Sequence, residues 1–341
     1  MSEHCPGRVL RMGVLGCADI AVRRILPALV ELDSTELVAV ASRDPVKAAR
    51  VATRFKCAGI TGYGNLLDRD DIDALYVPLP PSMHYEWVNK ALNAGKHVLA
   101  EKPLTTTYER AVELVGLARE FNLVLAENYM FLHHSQHGAV RKMLEDGMIG
   151  KLQVFSSSFG IPPLNPASFR YQPGLGSGSL LDVGVYPLRV AQLYLSADLE
   201  VLGASLRIGA TGVDVAGSTL LRAADGVTAQ LDFGFEHSYR SVYELWGSRG
   251  RISVLRAFTP PEHLKPQVRV EQQDLITELS LPADHQVRNT LTAFVEAALS
   301  DGDRPSFEQP LLEQAMLVDQ VRKAAQAAPL QGNALAAFSA G

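Results

Sequence analysis

From residue 8 onward the chain alternates short, continuously apolar runs rich in β-branched residues with stretches of good helix formers at helical spacing. A strand that is apolar at every position has no face for water, so it belongs in a parallel sheet covered by helices on both sides. Strands are predicted at 9–15, 36–41, 58–60, 74–77, 97–100 and 123–126, with helices at 18–31, 45–55, 83–93 and 108–120. A further helix, 137–145, ends at Gly147 and links this half to the next.

After Lys151 the runs lengthen and alternate, at 153–160, 200–207, 217–223, 227–235, 240–246 and 250–255. Ala224-Asp225-Gly226 and Ser248-Arg249-Gly250 read as hairpin turns between them, which makes the second sheet antiparallel. Two terminal helices, 286–298 and 311–327, are expected to pack back onto the first half. The class is α/β, a doubly wound parallel sheet at 1–128 followed by an α+β domain at 129–331 with a large, mostly antiparallel open sheet. Residues 332–341 read as a weakly ordered tail. An open sheet with one free face is usually covered by self-association, so a dimer or tetramer is expected.

The net charge of −5 is spread over interspersed acids and bases, which offers no basic face to nucleic acid or anionic lipid and favours a small-molecule partner. Cys5, Cys17 and Cys57 are odd in number and lack metal-ligand spacing, as expected of reduced structural thiols. The opening Met1-Ser2-Glu3-His4-Cys5-Pro6 does not read as a leader, and no apolar run approaches the roughly 18 residues of a membrane span, so the expected compartment is the cytoplasm. His133, His134 and His137 lack suitably spaced acids, and no metal site is assigned to them.

The first strand runs into Gly16-Cys17-Ala18-Asp19-Ile20-Ala21, where Gly16 permits a tight turn and the alanines replace later glycines of a dinucleotide fingerprint. The helix that follows can offer its N-terminal amides to a pyrophosphate. The second strand ends in Ser42-Arg43, where an NAD site would usually place an acid. A hydroxyl and a forked guanidinium suit a 2′-phosphate, so NADP(H) is the expected cofactor. The loop Val77-Pro78-Leu79-Pro80-Pro81-Ser82-Met83-His84 leaves the fourth strand, with Leu79 and Pro80 as a floor for the cofactor and Ser82 as a cap for the next helix. His84 by itself reads as structural.

Glu101-Lys102-Pro103 ends the fifth strand and places an ammonium at the carboxyl edge of the sheet. Reducing a ketone requires hydride at carbon, positive charge near oxygen, and a proton for the alkoxide. Lys102 and Tyr186 can supply the last two. An ammonium beside the phenol is expected to lower the phenol's pKa. Tyr186 is taken as the proton donor and Lys102 as the polarising group, although these residues leave open which of the two gives the proton. Asp182, four residues before Tyr186, falls on the same face if the stretch is helical, but Pro187 also admits a turn with a new helix beginning there. Alone, Asp182 would serve equally as a helix cap and Tyr186 as a core aromatic. Arg170, in the Gly-rich stretch 170–178, is a candidate for a substrate diphosphate.

The glycine turn, Pro-Leu-Pro-Pro-Ser-Met-His and Ala-Glu-Lys-Pro, in this order, resemble the Gfo/Idh/MocA oxidoreductases. The resemblance continues through Ala126-Glu127-Asn128-Tyr129-Met130, Gly147-Met148-Ile149-Gly150-Lys151 and Gly178-Ser179-Leu180-Leu181-Asp182-Val183-Gly184-Val185-Tyr186-Pro187, nearly the whole chain. It implies an N-terminal Rossmann domain for NAD(P), a C-terminal domain whose open sheet mediates oligomerisation, and substrate between them. It places the cofactor on Gly16, Cys17, Ala18, Asp19, Ile20, Ser42, Arg43, Leu79, Pro80, His84, Glu101, Lys102 and Asn128, and the chemistry on Lys102, Asp182 and Tyr186, with Arg170 toward the substrate. It also implies a cis bond between Lys102 and Pro103. Inositol dehydrogenases of the family carry histidine where this chain has Tyr186, so the resemblance is to the sugar branch. It is closest to NDP-sugar 3-ketoreductases of deoxysugar biosynthesis, with an NADPH-dependent reduction at C3 of a dTDP-linked diketo sugar. Free-sugar or dihydrodiol dehydrogenases and a cofactor-sensing binding protein are the alternatives.

Overall fold

The computed structural model describes residues 8–195, 198–300 and 307–327. The N-terminal segment with Cys5, and the tail at 332–341, lie outside the described residues. Six strands form a parallel sheet in the order β3-β2-β1-β4-β5-β6: β1 Leu10–Leu15, β2 Thr35–Ser42, β3 Ala58–Thr61, β4 Ala74–Val77, β5 His97–Ala100 and β6 Leu125–Glu127. This order reverses between β1 and β4, which opens a crevice at the carboxyl ends of those two strands. The helices that cover the sheet are α1 Leu26–Val30, α2 Pro45–Phe55, the single turn α3 Gly64–Leu67, α4 Pro81–Asn93 and α5 Tyr108–Glu120.

Local chemistry explains several boundaries. Asp44 caps α2 by accepting the Val46 amide at 2.9 Å, and Pro45 supplies the pre-set first helical residue. A π turn, Ala21–Ile25, precedes α1 where a plain α-helix was expected. Pro27 has no N–H for the Arg23 carbonyl and its ring crowds that oxygen, so the ladder widens just ahead of it. Ser82 does not cap α4, which begins one residue before it at Pro81; its amide instead meets the Leu175 carbonyl at 3.2 Å.

After α6 Ser135–Glu145 the chain enters an eight-stranded sheet ordered β14-β13-β12-β11-β7-β10-β9-β8. Its strands are β7 Leu152–Gly160, β8 Leu199–Ile208, β9 Asp214–Ala223, β10 Thr228–Gly234, β11 Arg240–Gly247, β12 Arg251–Leu255, β13 Gln267–Gln272 and β14 Leu275–Ser280. All neighbours are antiparallel except β7 and β10, which run parallel at the centre. The hairpins at 224–226 and 248–250 join β9 to β10 and β11 to β12, as the turn residues predict. The pair β13 and β14 carries no element of the expected pattern. A second π turn, Leu180–Gly184, runs directly into α7 Val185–Tyr194 and packs on the inner face of this sheet. Phe233 of β10 lies against Gly184, where a Cβ would come within 3.0 Å of its ring.

The terminal helices α8 Gln286–Leu299 and α9 Glu308–Ala327 divide their roles. α8 completes the first core with Val287, Leu291, Phe294 and Val295. α9 was expected on the first half alone but straddles both: Leu311 joins a first-sheet core, while Leu317, Val318 and Val321 join the second-sheet core. Asp319 accepts the Tyr108 amide at 2.8 Å, and Arg322 reaches the Thr106 carbonyl at 3.0 Å.

At the end of β6, Glu127 Oε1 accepts the Leu104 amide at 2.7 Å and holds the turn that follows Lys102. Burial drives this carboxyl up to about 7, against the pull of the Leu104 amide and the Arg189 and Lys102 charges. Because the folded pKa lies above the ordinary 4.5, folding favours the protonated acid, and that contribution is complete below 4.5 and lost as pH rises toward about 7. Glu127→Gln retains the acceptor and removes the titration. Its stability relative to the native chain is expected to rise with pH across that window and then level off, measured by urea unfolding at each pH; a pH-independent difference would contradict the assignment.

Candidate active site

The nucleotide end of the site is shaped at the β1 to β4 crevice. Gly16 sits at φ +131°, and a Cβ there would come within 3.0 Å of Leu79 Cδ2, so only bare backbone passes between the two loops. Ala18 O accepts the Val22 amide at 3.1 Å and opens the helix, while Asp19 pairs outward with Arg23. Cys17 is buried with its thiol toward the Ala41 carbonyl, so only its backbone is available to a phosphate.

At the end of β2, Ser42 Oγ accepts the Asp44 amide at 3.1 Å. Asp44 is the nearest acid in sequence, and its carboxylate is engaged on the α2 amides. Arg43 is exposed and has no ion-pair partner among the described residues. A free guanidinium beside a hydroxyl, with the neighbouring carboxylate held on a helix end, fits a 2′-phosphate. The cradle at Gly16 and this pair together fit NADP(H), whose pyrophosphate would lie on the turn after β1.

Beneath Lys102 the side chains form a support. Glu101 is buried and accepts from Tyr76 Oη and Asn128 Nδ2, each at 2.6 Å, and burial raises its pKa despite both bonds. His84 bridges the Pro103 carbonyl at 2.8 Å and the Leu79 carbonyl at 2.7 Å, and burial lowers its pKa. Both the His84 and Asn128 side chains are fully enclosed, which leaves only their main chain for the contact with cofactor that the resemblance implies. His84 ties the loop after β4 to the loop after β5. The Lys102–Pro103 bond is cis, as the resemblance implies.

Lys102 Nζ donates to Asp182 twice, to the main-chain oxygen at 2.6 Å and to Oδ1 at 2.8 Å. Arg170 Nε donates to the other oxygen, Oδ2, at 2.6 Å. Arg170 is thus engaged by Asp182, where it was expected to await a diphosphate. Burial alone would raise the Asp182 pKa, but the two cations more than offset it and hold the carboxyl at about 2. The same pair leaves Lys102 raised, because Asp182 and Tyr186 outweigh the desolvation of the ammonium. Lys102 is therefore charged at neutral pH.

Tyr186 stands 5.2 Å from Lys102 Nζ, measured to the ring centroid, and is 9% exposed. Tyr129 and Phe159 meet its ring edge-on at 5.8 and 5.0 Å, with Phe131 and Phe258 tilted against it. The expectation of a lowered phenol pKa is overturned. Burial among these rings raises it to about 12, and the Lys102 charge only moderates the rise. Asp182 and Tyr186 do share one helical run, with the π turn accommodating Pro187, which lacks an N–H for the Val183 carbonyl.

Sequence reasoning missed Gln314 on α9. Its Nε2 donates to Tyr129 Oη at 3.2 Å and to the Val185 carbonyl at 3.0 Å, so a distant helix fixes both the backbone before Tyr186 and a ring against it. No local pattern marks that residue. Among the described residues no group of His, Cys, Asp or Glu has the arrangement of a metal site, and His137 bonds Tyr243 Oη at 3.0 Å. No helix among them is long and apolar enough to cross a membrane.

This geometry has close counterparts. A dTDP-3,4-didehydro-2,6-dideoxy-alpha-D-glucose 3-reductase of Saccharopolyspora spinosa is 53% identical over 322 residues, 92% of this chain and 97% of that one. The crystal structure of KijD10, a 3-ketoreductase from Actinomadura kijaniata, in complex with NADP and TDP-benzene, superposes with a TM-score of 0.91 at 50% identity over 93% of this chain and 98% of that one. The oxidoreductase family with an NAD-binding Rossmann fold matches residues 10–129, and the GFO/IDH/MocA C-terminal domain matches 137–253. With the parallel sheet and the large second sheet both matched, the chain belongs to the Gfo/Idh/MocA family of oxidoreductases.

Proposed function

We propose that this protein is an NADPH-dependent ketoreductase that reduces the C3 keto group of a dTDP-linked 3,4-diketo-2,6-dideoxyhexose, a step of deoxysugar biosynthesis in the cytoplasm. The observation that carries this reading is the Lys102–Asp182–Tyr186 cluster beside a nucleotide crevice, in a chain about half identical to enzymes named for that reaction. Residues up to about 128 would hold the cofactor, and 129–331 would supply Asp182, Tyr186 and Arg170.

NADPH, when bound, supplies the hydride. Lys102 directs two of its three N–H donors at Asp182, which leaves one for a substrate oxygen. Asp182, kept ionised by Lys102 and Arg170, maintains the ammonium and aims it. Tyr186, protonated at neutral pH, holds the proton. A phenol at about 12 still delivers it readily, because an alkoxide is a stronger base than a phenolate. The surrounding rings pack against the ring that carries that hydroxyl.

We also propose that the free face of the second sheet, where Trp246 and Leu255 are exposed, pairs with a second copy of the chain. Analytical ultracentrifugation is expected to give a dimer or tetramer; a monomer at micromolar concentration would refute this.

The direct test follows NADPH absorbance with enzymatically generated dTDP-3,4-diketo-2,6-dideoxyhexose, against NADH and free sugars. Selective NADPH oxidation is expected; turnover of free sugars alone would overturn the substrate assignment. Tyr186→Phe is expected to lower turnover at least about tenfold, less than the roughly hundredfold usual for loss of an acid catalyst because Lys102 can deliver a proton, with NADPH affinity little changed. Loss of cofactor binding instead would remove Tyr186 from this role. Arg43→Ala is expected to raise the NADPH KM about tenfold while sparing NADH, as loss of a charged hydrogen bond should.

A further inference from the structure

The helical run that carries Asp182 and Tyr186 begins without a cap of its own. Ser179, at its N-cap position, makes no capping bond through its side chain. Its hydroxyl points the other way and donates to Asp214 Oδ2 at 2.8 Å. The same oxygen accepts the Leu180 amide at 2.6 Å, one of the first free N–H groups of the run. Asp214 stands 34 residues away in sequence from Leu180, at the start of β9, and no cation pairs with it among the described residues. Gly178 makes room for it: its φ is +108°, and a Cβ there would fall 2.1 Å from Asp214 Oδ1. The Gly178 carbonyl in turn accepts the Asp182 amide at 3.1 Å, and its amide meets the Arg170 carbonyl at 3.3 Å.

We infer that Asp214 is a positioning residue for the reaction, a carboxylate that caps the catalytic helix from the second sheet and so sets where Asp182 and Tyr186 stand relative to Lys102. A carboxylate is favoured over a neutral cap here because the amide end of a helix carries partial positive charge. The β8–β9 hairpin is closed by Gly209, whose amide meets the Val213 carbonyl at 2.8 Å, so Asp214 is presented from a fixed edge of the sheet. If that anchor is removed, the π turn can slide along Phe233, and the Lys102–Asp182 bonds lengthen. This inference rests on the proposed roles of Lys102, Asp182 and Tyr186.

The test compares Asp214→Ala, Asp214→Asn, Ser179→Ala and Lys102→Ala for kcat and KM with the keto sugar, NADPH affinity by fluorescence, and thermal melting. Asp214→Ala is expected to lower kcat about tenfold or more through misplacement of reacting groups, while NADPH affinity stays within about twofold because the nucleotide turn is on the other sheet. Asp214→Asn, whose amide oxygen can still take the Leu180 amide, is expected to recover most of the loss, and adding Ser179→Ala to Asp214→Ala to cost nothing further. A folded Asp214→Ala enzyme with native kcat and KM overturns the inference, provided Lys102→Ala is impaired; if Lys102→Ala is also unimpaired, the reading of the cluster itself falls and takes this with it. Equal losses in Asp214→Ala and Asp214→Asn, with NADPH affinity falling in step, overturn it in favour of a general structural role. Should Asp214→Ala fail to fold, Asp214→Asn and Ser179→Ala form the cycle, and strictly additive losses overturn the coupling.

Discussion

The structure turns on the contact between Lys102 and Asp182. The lysine follows β5 of the parallel sheet, and the aspartate lies on the helical run packed against the other sheet, so one ion pair joins the two halves. Side chains from four other segments serve that contact. Glu127 and His84 hold the two ends of the peptide bond between Pro103 and Leu104, just after Lys102, while Arg170 holds the second oxygen of Asp182. Gln314, from the C-terminal helix, secures the backbone just before Tyr186.

An enclosed ion pair gains little net stability, because removing two charges from water offsets most of their attraction. What the arrangement contributes is a fixed charge. Two cations share one carboxylate, so under the proposed roles an ammonium is already in place for the negative charge that reduction would develop. The same enclosure explains why the phenol's pKa rises. Aromatic rings drawn from β7, the segment before α6 and the loop after β12 shield Tyr186 more strongly than one ammonium can compensate. Proton transfer then waits for the alkoxide, which keeps it coupled to reduction.

Much of the fold was legible because buried parallel strands leave an unmistakable apolar run between helices, as at 74–77 and 97–100. The hairpin β13–β14 was not, since Val268 and Val270 are the only buried residues across both strands and β14 is largely exposed. The π turns depend on single prolines, Pro27 and Pro187, whose effect on the ladder is felt one turn upstream. At the site, Lys102, Asp182 and Tyr186 were identifiable from motif and spacing, and the structure brings them together. The engagement of Arg170 by Asp182, the reach of Gln314 and the enclosure of His84 were beyond reading, because each is settled by tertiary neighbours distant in sequence.

The central claim is that a charged Lys102 and a protonated Tyr186 act together at neutral pH, neither of them poised to titrate there. Its most direct test is the pH dependence of kcat/KM for keto-sugar reduction. The profile is expected to stay level from about pH 8, above the Glu127 titration, to about pH 9, with decline only at higher pH where the lysine and phenol lose their protons. An alkaline limb centred within that interval would contradict the account, because the proton donor or polarising cation would then be a group with a far lower pKa than either residue has in this structure.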